Sequence, residues 1–191
     1  MTRWLGLWCL FASLGGVPGW AQAPELPPEW EVSRDMTALA EQIRRFKPIL
    51  DEVKPQDWVS QGAPEAYQTQ WKSITSEIEY LTRSTKELSS QPERLTVALE
   101  TLFRMQSLDS ILSSLDEGIR RYQNPALADL LRGEANQTAA HREKLRHYVV
   151  ALAATKELEY KIMHEEAQRC RGMLSRQPAP KPGPSQPAEK K

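Results

Sequence analysis

Over most of this chain the apolar positions recur in steps of three and four residues, with charged and polar residues between them. Between residues 33 and 54 they are Met36, Leu39, Ile43, Phe46, Leu50 and Val53. That spacing draws one narrow stripe along a helix, as in an a/d seam. Ser33 or Asp35 is placed to start it. Pro48 lies inside the stripe and predicts a kink or a split near Phe46 and Lys47, because its ring blocks the preceding turn. Burying six such side chains is worth ~9–18 kcal/mol gross, before conformational entropy is subtracted.

The stripe then repeats. Residues 55–63 form a connection containing Trp58 and Gly62, and Pro64 suits a first helical position. The second helix, about 64–89, carries Tyr67, Trp71, Ile74, Ile78, Leu81, Thr85 and Leu88, with Thr85 the weak knob. Ser89 or Ser90 can cap a third helix with Pro92 and Glu93 in its first turn. Its seam is Leu95, Ala98, Leu102, Met105, Leu108, Leu112, Leu115, Ile119 and Tyr122. The step from Met105 to Leu108 is three residues where four were due, a stammer that overwinds packing locally.

Asn124 and Pro125 signal the start of a fourth helix. It runs to about Leu174 and is read as continuous, with a bend, through Gly133 and Asn136. Its later seam is Leu145, Tyr148 or Val149, Leu152, Leu158, Ile162, Ala167, Cys170 and Leu174. Acid-to-base pairs four apart (Glu41/Arg45, Glu79/Arg83, Asp116/Arg120, Glu117/Arg121, Glu157/Lys161, Glu165/Arg169) mark solvated outer faces. No stretch alternates like a strand. Short connections favour antiparallel neighbours, so the expectation is an all-α fold, an antiparallel four-helix bundle with coiled-coil-like heptad packing over residues 33–176.

The ends read differently. A positive start at Arg3, an apolar run from Trp4 to Val17 and small residues before position 23 describe a secretory signal peptide. Cleavage after Ala23 would put Pro24 just past the scissile bond, so residues 1–21 with cleavage after Ala21 is the preferred reading. The run is too short for a membrane span of ~20 residues. Residues 22–32 hold three prolines and read as an extended leader. Residues 177–191 hold five prolines and no large apolar residue, and read as a disordered tail of polyproline II character. The chain is therefore expected to act outside the cytoplasm, in a periplasm or the extracellular space. In outline it is similar to exported helical proteins of bacteria, a likeness of layout that brings no residues and no function with it.

Removing the signal changes the chemistry on offer. Trp30, Trp58 and Trp71 remain of six tryptophans, and Cys170 remains of two cysteines, so no internal disulfide can form. Acidic and basic residues number 25 each in the whole chain, so charge gives no reason to expect nucleic acid as a partner. No transmembrane segment is expected in the mature chain.

Catalytic and metal-binding patterns are missing. Thr138, Lys144 and Lys161 stand three residues before His141, His147 and His164, so no Glu-x-x-His metal motif exists. No Gly-x-Ser-x-Gly and no phosphate loop occurs. No cofactor is expected, and the chain is read as non-enzymatic. Trp58, Tyr67 and Trp71, around the first interhelical turn, are the candidate ligand or partner contact, with core packing as the alternative. Cys170 is the candidate reactive thiol, flanked by Arg169 and Arg171. The favoured alternative makes it a small buried hydrophobe on one stripe with Ala167 and Leu174. Asn136-Gln137-Thr138 matches a glycosylation pattern inside a predicted helix.

Three functions follow as expectations. The first is an exported interaction module for a protein partner or for self-association, since narrow seams leave room for a second copy. The second is a carrier or sensor holding a small apolar ligand between helices. The third is a single-thiol redox protein.

Overall fold

A computed structural model describes residues 26–175. The signal peptide reading, the start of the leader and the tail at 177–191 lie outside the described residues. Within them every regular element is helical, and the fold is an all-α bundle.

Helix α1 spans Glu29–Arg44 and begins earlier than the sequence suggested, so the leader is not extended through residue 32. Pro28 takes an extended conformation as the N-cap residue, and Glu29 and Glu31 in the first turn complement the helix dipole. The break falls at Arg45, where α1 gives way to α2, Phe46–Asp51. Pro48 explains it: with no N–H, it leaves the carbonyl of Arg44 without its helical partner.

The first connection is not open chain. Residues Pro55–Ser60 wind into a short helix, α3, with Pro55 at its start. Gly62, at φ 94°, then turns the backbone through a conformation that other residues rarely adopt. Helix α4 spans Ala66–Ser90, and α5 spans Leu95–Tyr122 with Arg94 as its N-cap residue. Pro92 therefore sits in the turn before α5 and not in its first turn. Its carbonyl accepts a hydrogen bond from the Tyr148 hydroxyl. Helix α6 spans Pro125–Ser175, 51 residues without interruption at Gly133 or Asn136. The side chain of Asn124 caps it by accepting the Ala126 N–H at 2.9 Å.

The four long arms are α1 with α2, then α4, α5 and α6. Each packs on the next, and the first returns to the last. Leu39, Phe46, Ile74, Leu81, Leu88, Leu115, Ile119, Leu145 and Leu152 are fully buried along the seams. Thr85 is buried among them because its hydroxyl donates to the carbonyl of Leu81 at 2.8 Å.

Two expectations fail for one reason, namely that periodicity cannot say what lies opposite. Asp116 was assigned to a solvated face; it is buried and pairs with Arg132 of α6, while Arg120 pairs with Asp129. The seam of α6 stops at Leu152: Leu158, Ile162, Ala167, Cys170 and Leu174 are exposed. Tyr148 lies against the turn that precedes α5, and from residue 157 on α6 has no neighbour among the described residues. Residues 157–175 extend beyond the bundle for about 28 Å at 1.5 Å per residue.

Candidate functional site

Trp58, Tyr67 and Trp71 arise from three local devices. Winding of 55–60 turns Trp58 inward, and α4 presents Tyr67 and Trp71 on one face, four residues apart. Trp58 is 1% exposed. Its indole N–H donates to Oε1 of Gln123 at 3.2 Å. The same oxygen accepts the backbone N–H of Lys54, and the Gln123 amide donates to the carbonyl of Glu52. Gln123 thus ties the end of α5 to the chain between α2 and α3. The indole meets Tyr67 edge-on at 5.7 Å and stacks with Tyr122 at 6.3 Å.

The group is closed from below by α5. A Cβ built on Gly118 would lie 2.6 Å from Cε1 of Tyr67 and 3.0 Å from Cζ3 of Trp58. The rings occupy the space that a side chain at 118 would need. Trp71 stands apart: its N–H donates to the carbonyl of Leu50 at 3.0 Å, and it edges a cleft with Val53, Pro55 and Gln68. Trp58 and Tyr67 are brought together, but around Gly118 and Tyr122. Neither of those two was singled out in the sequence, and a helical glycine does not by itself mark close approach, since nothing lies within 4 Å of the Cβ position at Gly133 or Gly172.

A second cleft lies at the other end of the bundle, between α1 and α6. It has a volume of about 280 Å³, with Val32, Met36, Leu145, Tyr148 and Ala151 as its apolar wall and Glu31, Asp35, Lys144 and His147 at its rim. Burial pushes the Tyr148 phenol up to about 12, helped by the nearby Glu93 and Glu29 carboxylates. Lys144 pairs with Asp35 at 3.0 Å. The Arg146 guanidinium holds the Glu143 carboxyl down to about 2, with a smaller contribution from His147. His141 has a pKa below its ordinary value, first through burial and then through Lys144, with Asp35 opposing. Sequence reasoning missed this cleft because its wall is made of ordinary seam residues from distant helices.

Cys170 is exposed on the overhang, so its reading as a buried hydrophobe is corrected. His147 pairs with Glu143 on its own helix. Among the described residues no three of His, Cys, Asp and Glu stand close enough to share a metal. Within the glycosylation pattern Thr138 is buried, its hydroxyl bonded to the carbonyl of Ala135 at 2.7 Å. No helix among the described residues is long and apolar enough to cross a membrane.

The overhang concentrates what the bundle leaves unburied. Tyr160 is 71% exposed, Met163 68% and Leu174 67%, and Leu158, Ile162 and Met173 are also exposed. Six large apolar side chains within 17 residues of one solvated helix are more than scattered surface hydrophobes. No protein-family model, no curated protein and no solved structure matches this chain.

Proposed function

We propose that this chain is an exported, non-enzymatic interaction module that holds out the C-terminal part of α6 as its contact surface. The observation that carries the reading is the run of exposed Leu158, Tyr160, Ile162, Met163, Met173 and Leu174 on a helix end with no neighbour among the described residues. A helix with a broad apolar face is ordinarily covered by another element, and lone apolar side chains of this number are unfavourable in water. The bundle beneath acts as a rigid mount: α5 and the α1–α2 arm fix the direction of α6 through the core that ends at Leu152. Met163, Ala167, Cys170 and Leu174, spaced four, three and four, support coiled-coil-like pairing as the mode of contact.

A photo-crosslinking amino acid at position 158, 163 or 174, compared with exposed Leu130 on the bundle side, tests this in cells that export the protein. Adducts at the overhang are expected to exceed those at 130 by roughly tenfold, given that interface contacts cluster on few positions. Equal yields at all four positions would refute the reading.

A second reading rests on the α1/α6 cleft. Its apolar wall and rim of charged groups suit a small amphipathic ligand, although about 280 Å³ is at the low end for such sites. Trp30 neighbours Glu31 at the rim and supplies the fluorescence readout. A panel of apolar carboxylates and amines that leaves its emission unmoved removes this reading.

A further inference from the structure

We infer that the occupant of the α6 overhang is the overhang of a second copy, paired antiparallel to form a two-fold dimer. This deepens the interaction-module reading and rests on it.

The direction of the free face comes from the bundle. On α6, Ala135 shares a cleft with Leu112 of α5, and Arg142 pairs with Asp109 of α5. Continuing at seven-residue steps gives Val149, Lys156, Met163 and Cys170. Met163 and Cys170 therefore continue the line that faces α5, beyond the point where α5 begins at Leu95. With Ala167 and Leu174 they form a seam with steps of four, three and four. The partner must lie above the turn at residues 91–94, in line with α5.

That position selects the orientation. A second α6 running parallel would have to continue downward into the space filled by α5. A second α6 running antiparallel carries its own bundle away in the opposite direction. The seam also reads the same way from both ends: large Met163, small Ala167, small Cys170, large Leu174. In antiparallel register Met163 faces Leu174 of the second copy and Ala167 faces its Cys170, each contact occurring twice by symmetry.

Charge agrees at the level of the whole segment. Residues 157–166 hold Glu157, Glu159, Glu165 and Glu166 against Lys161, whereas 167–175 hold Arg169 and Arg171 and no acid. In the register that sets Met163 against Leu174, Glu165 and Glu166 lie beside Arg169 and Arg171 of the second copy, which favours it over a parallel pairing that sets like on like.

The test uses the exported chain from Gln22 to Lys191. Sedimentation velocity from 1 to ~200 µM, a range that brackets weak to moderate dimers, is expected to show a monomer–dimer equilibrium. The variants Met163→Glu and Leu174→Glu change side chains exposed in the monomer. They are expected to raise the dimer dissociation constant by roughly 100-fold with the thermal melt of the monomer unchanged. For orientation, a copper–phenanthroline oxidant is added to wild type and to Ala167→Cys. In the antiparallel register Cys170 of the two copies is offset by three residues, about 4.5 Å along the axis, whereas 167 and 170 stand directly opposite, so a Cys170–Cys170 bridge is the more strained of the two. Wild type then gives less covalent dimer than Ala167→Cys, whose 167–170 bridge peptide mapping identifies. A monomer at every concentration, a dimer indifferent to both glutamate variants, or Cys170–Cys170 bridging in wild type faster than 167–170 bridging in Ala167→Cys would overturn the inference. Adducts to a different protein at 158, 163 or 174, with a monomer in solution, would sink self-pairing and leave the interaction-module reading standing.

Discussion

Replacing Gly118 with alanine pits two effects of opposite sign against each other. Gly118 lies inside α5, where alanine is intrinsically better by ~0.8–1.0 kcal/mol. The added methyl would sit 2.6 Å and 2.8 Å from two ring carbons of Tyr67 and 3.0 Å from Trp58. Neither ring yields easily, because Tyr67 is held edge-on to both Trp58 and Tyr122. Overpacking costs about 1–3 kcal/mol, and two contacts below 3.0 Å against a ring held on both sides belong to the upper half of that range, roughly 2–3 kcal/mol. The overlap outweighs the propensity, and Gly118→Ala is expected to be less stable than wild type by about 1–2 kcal/mol. In a domain of this size that lowers Tm by roughly 2–8 °C. Urea unfolding followed by far-UV circular dichroism measures it as a lower midpoint at unchanged m. Gly133 is the internal control: nothing lies within 4 Å of its Cβ position, so Gly133→Ala is expected to gain ~0.5–1 kcal/mol. Shrinking the ring in Gly118→Ala/Tyr67→Leu should recover part of the loss, a coupling of at least ~0.5 kcal/mol. A Gly118→Ala protein as stable as wild type would refute the reasoning that the aromatic end is filled.

Other outcomes follow from the same geometry. Trp58→Ala empties a site that is 1% exposed and removes one of the two hydrogen bonds to Gln123 Oε1, so a loss of ~3–5 kcal/mol is expected by denaturant titration; Trp58→Phe keeps most of the volume and loses far less. The pKa of His141 is lowered in the fold, so the unfolded chain takes up its proton first as pH falls through about 6.5. Stability is expected to decline there on acidification until the folded histidine protonates too, and a stability–pH series of His141→Gln that keeps the same slope would contradict this. Tyr148 ionises near 12 in the fold against about 10 when unfolded, so stability should fall between these values, with one late-titrating tyrosine in the ultraviolet spectrum that disappears in Tyr148→Phe. Cys170 is exposed in the single chain and, at dilutions where the chain is monomeric, should react with a thiol reagent within about tenfold of the denatured rate, with no change in melting; protection of more than ~100-fold there would place the thiol in contact within its own chain.

Much of the bundle was legible because seam residues carry their own periodicity. Met36, Leu39, Ile43, Phe46, Leu50 and Val53 are all buried. The split in the first arm followed from Pro48, and the start of α6 from Asn124 and Pro125. Boundaries set by turns were less so: α5 starts at Leu95 because Pro92 is held in the turn by Tyr148, a residue 56 positions away. Trp58 looked like a loop residue because its burial depends on Gly118 and Gln123, contributed by another helix. The overhang was misjudged for the converse reason. Leu158 to Leu174 has helical spacing, but spacing records only that a face is apolar and not that the chain supplies its cover.

One uninterrupted helix therefore holds two regimes of backbone protection. Up to Leu152 the amides of α6 are tied to the core and should exchange with solvent deuterium only when the bundle opens as a unit. A few residues further on, with no break in the helix, each amide is protected only by its own turn and should exchange by local fraying. A sharp step in exchange rate near residue 153 would locate, in the isolated chain, where folding information ends, and its disappearance on association would mark which residues the second surface covers.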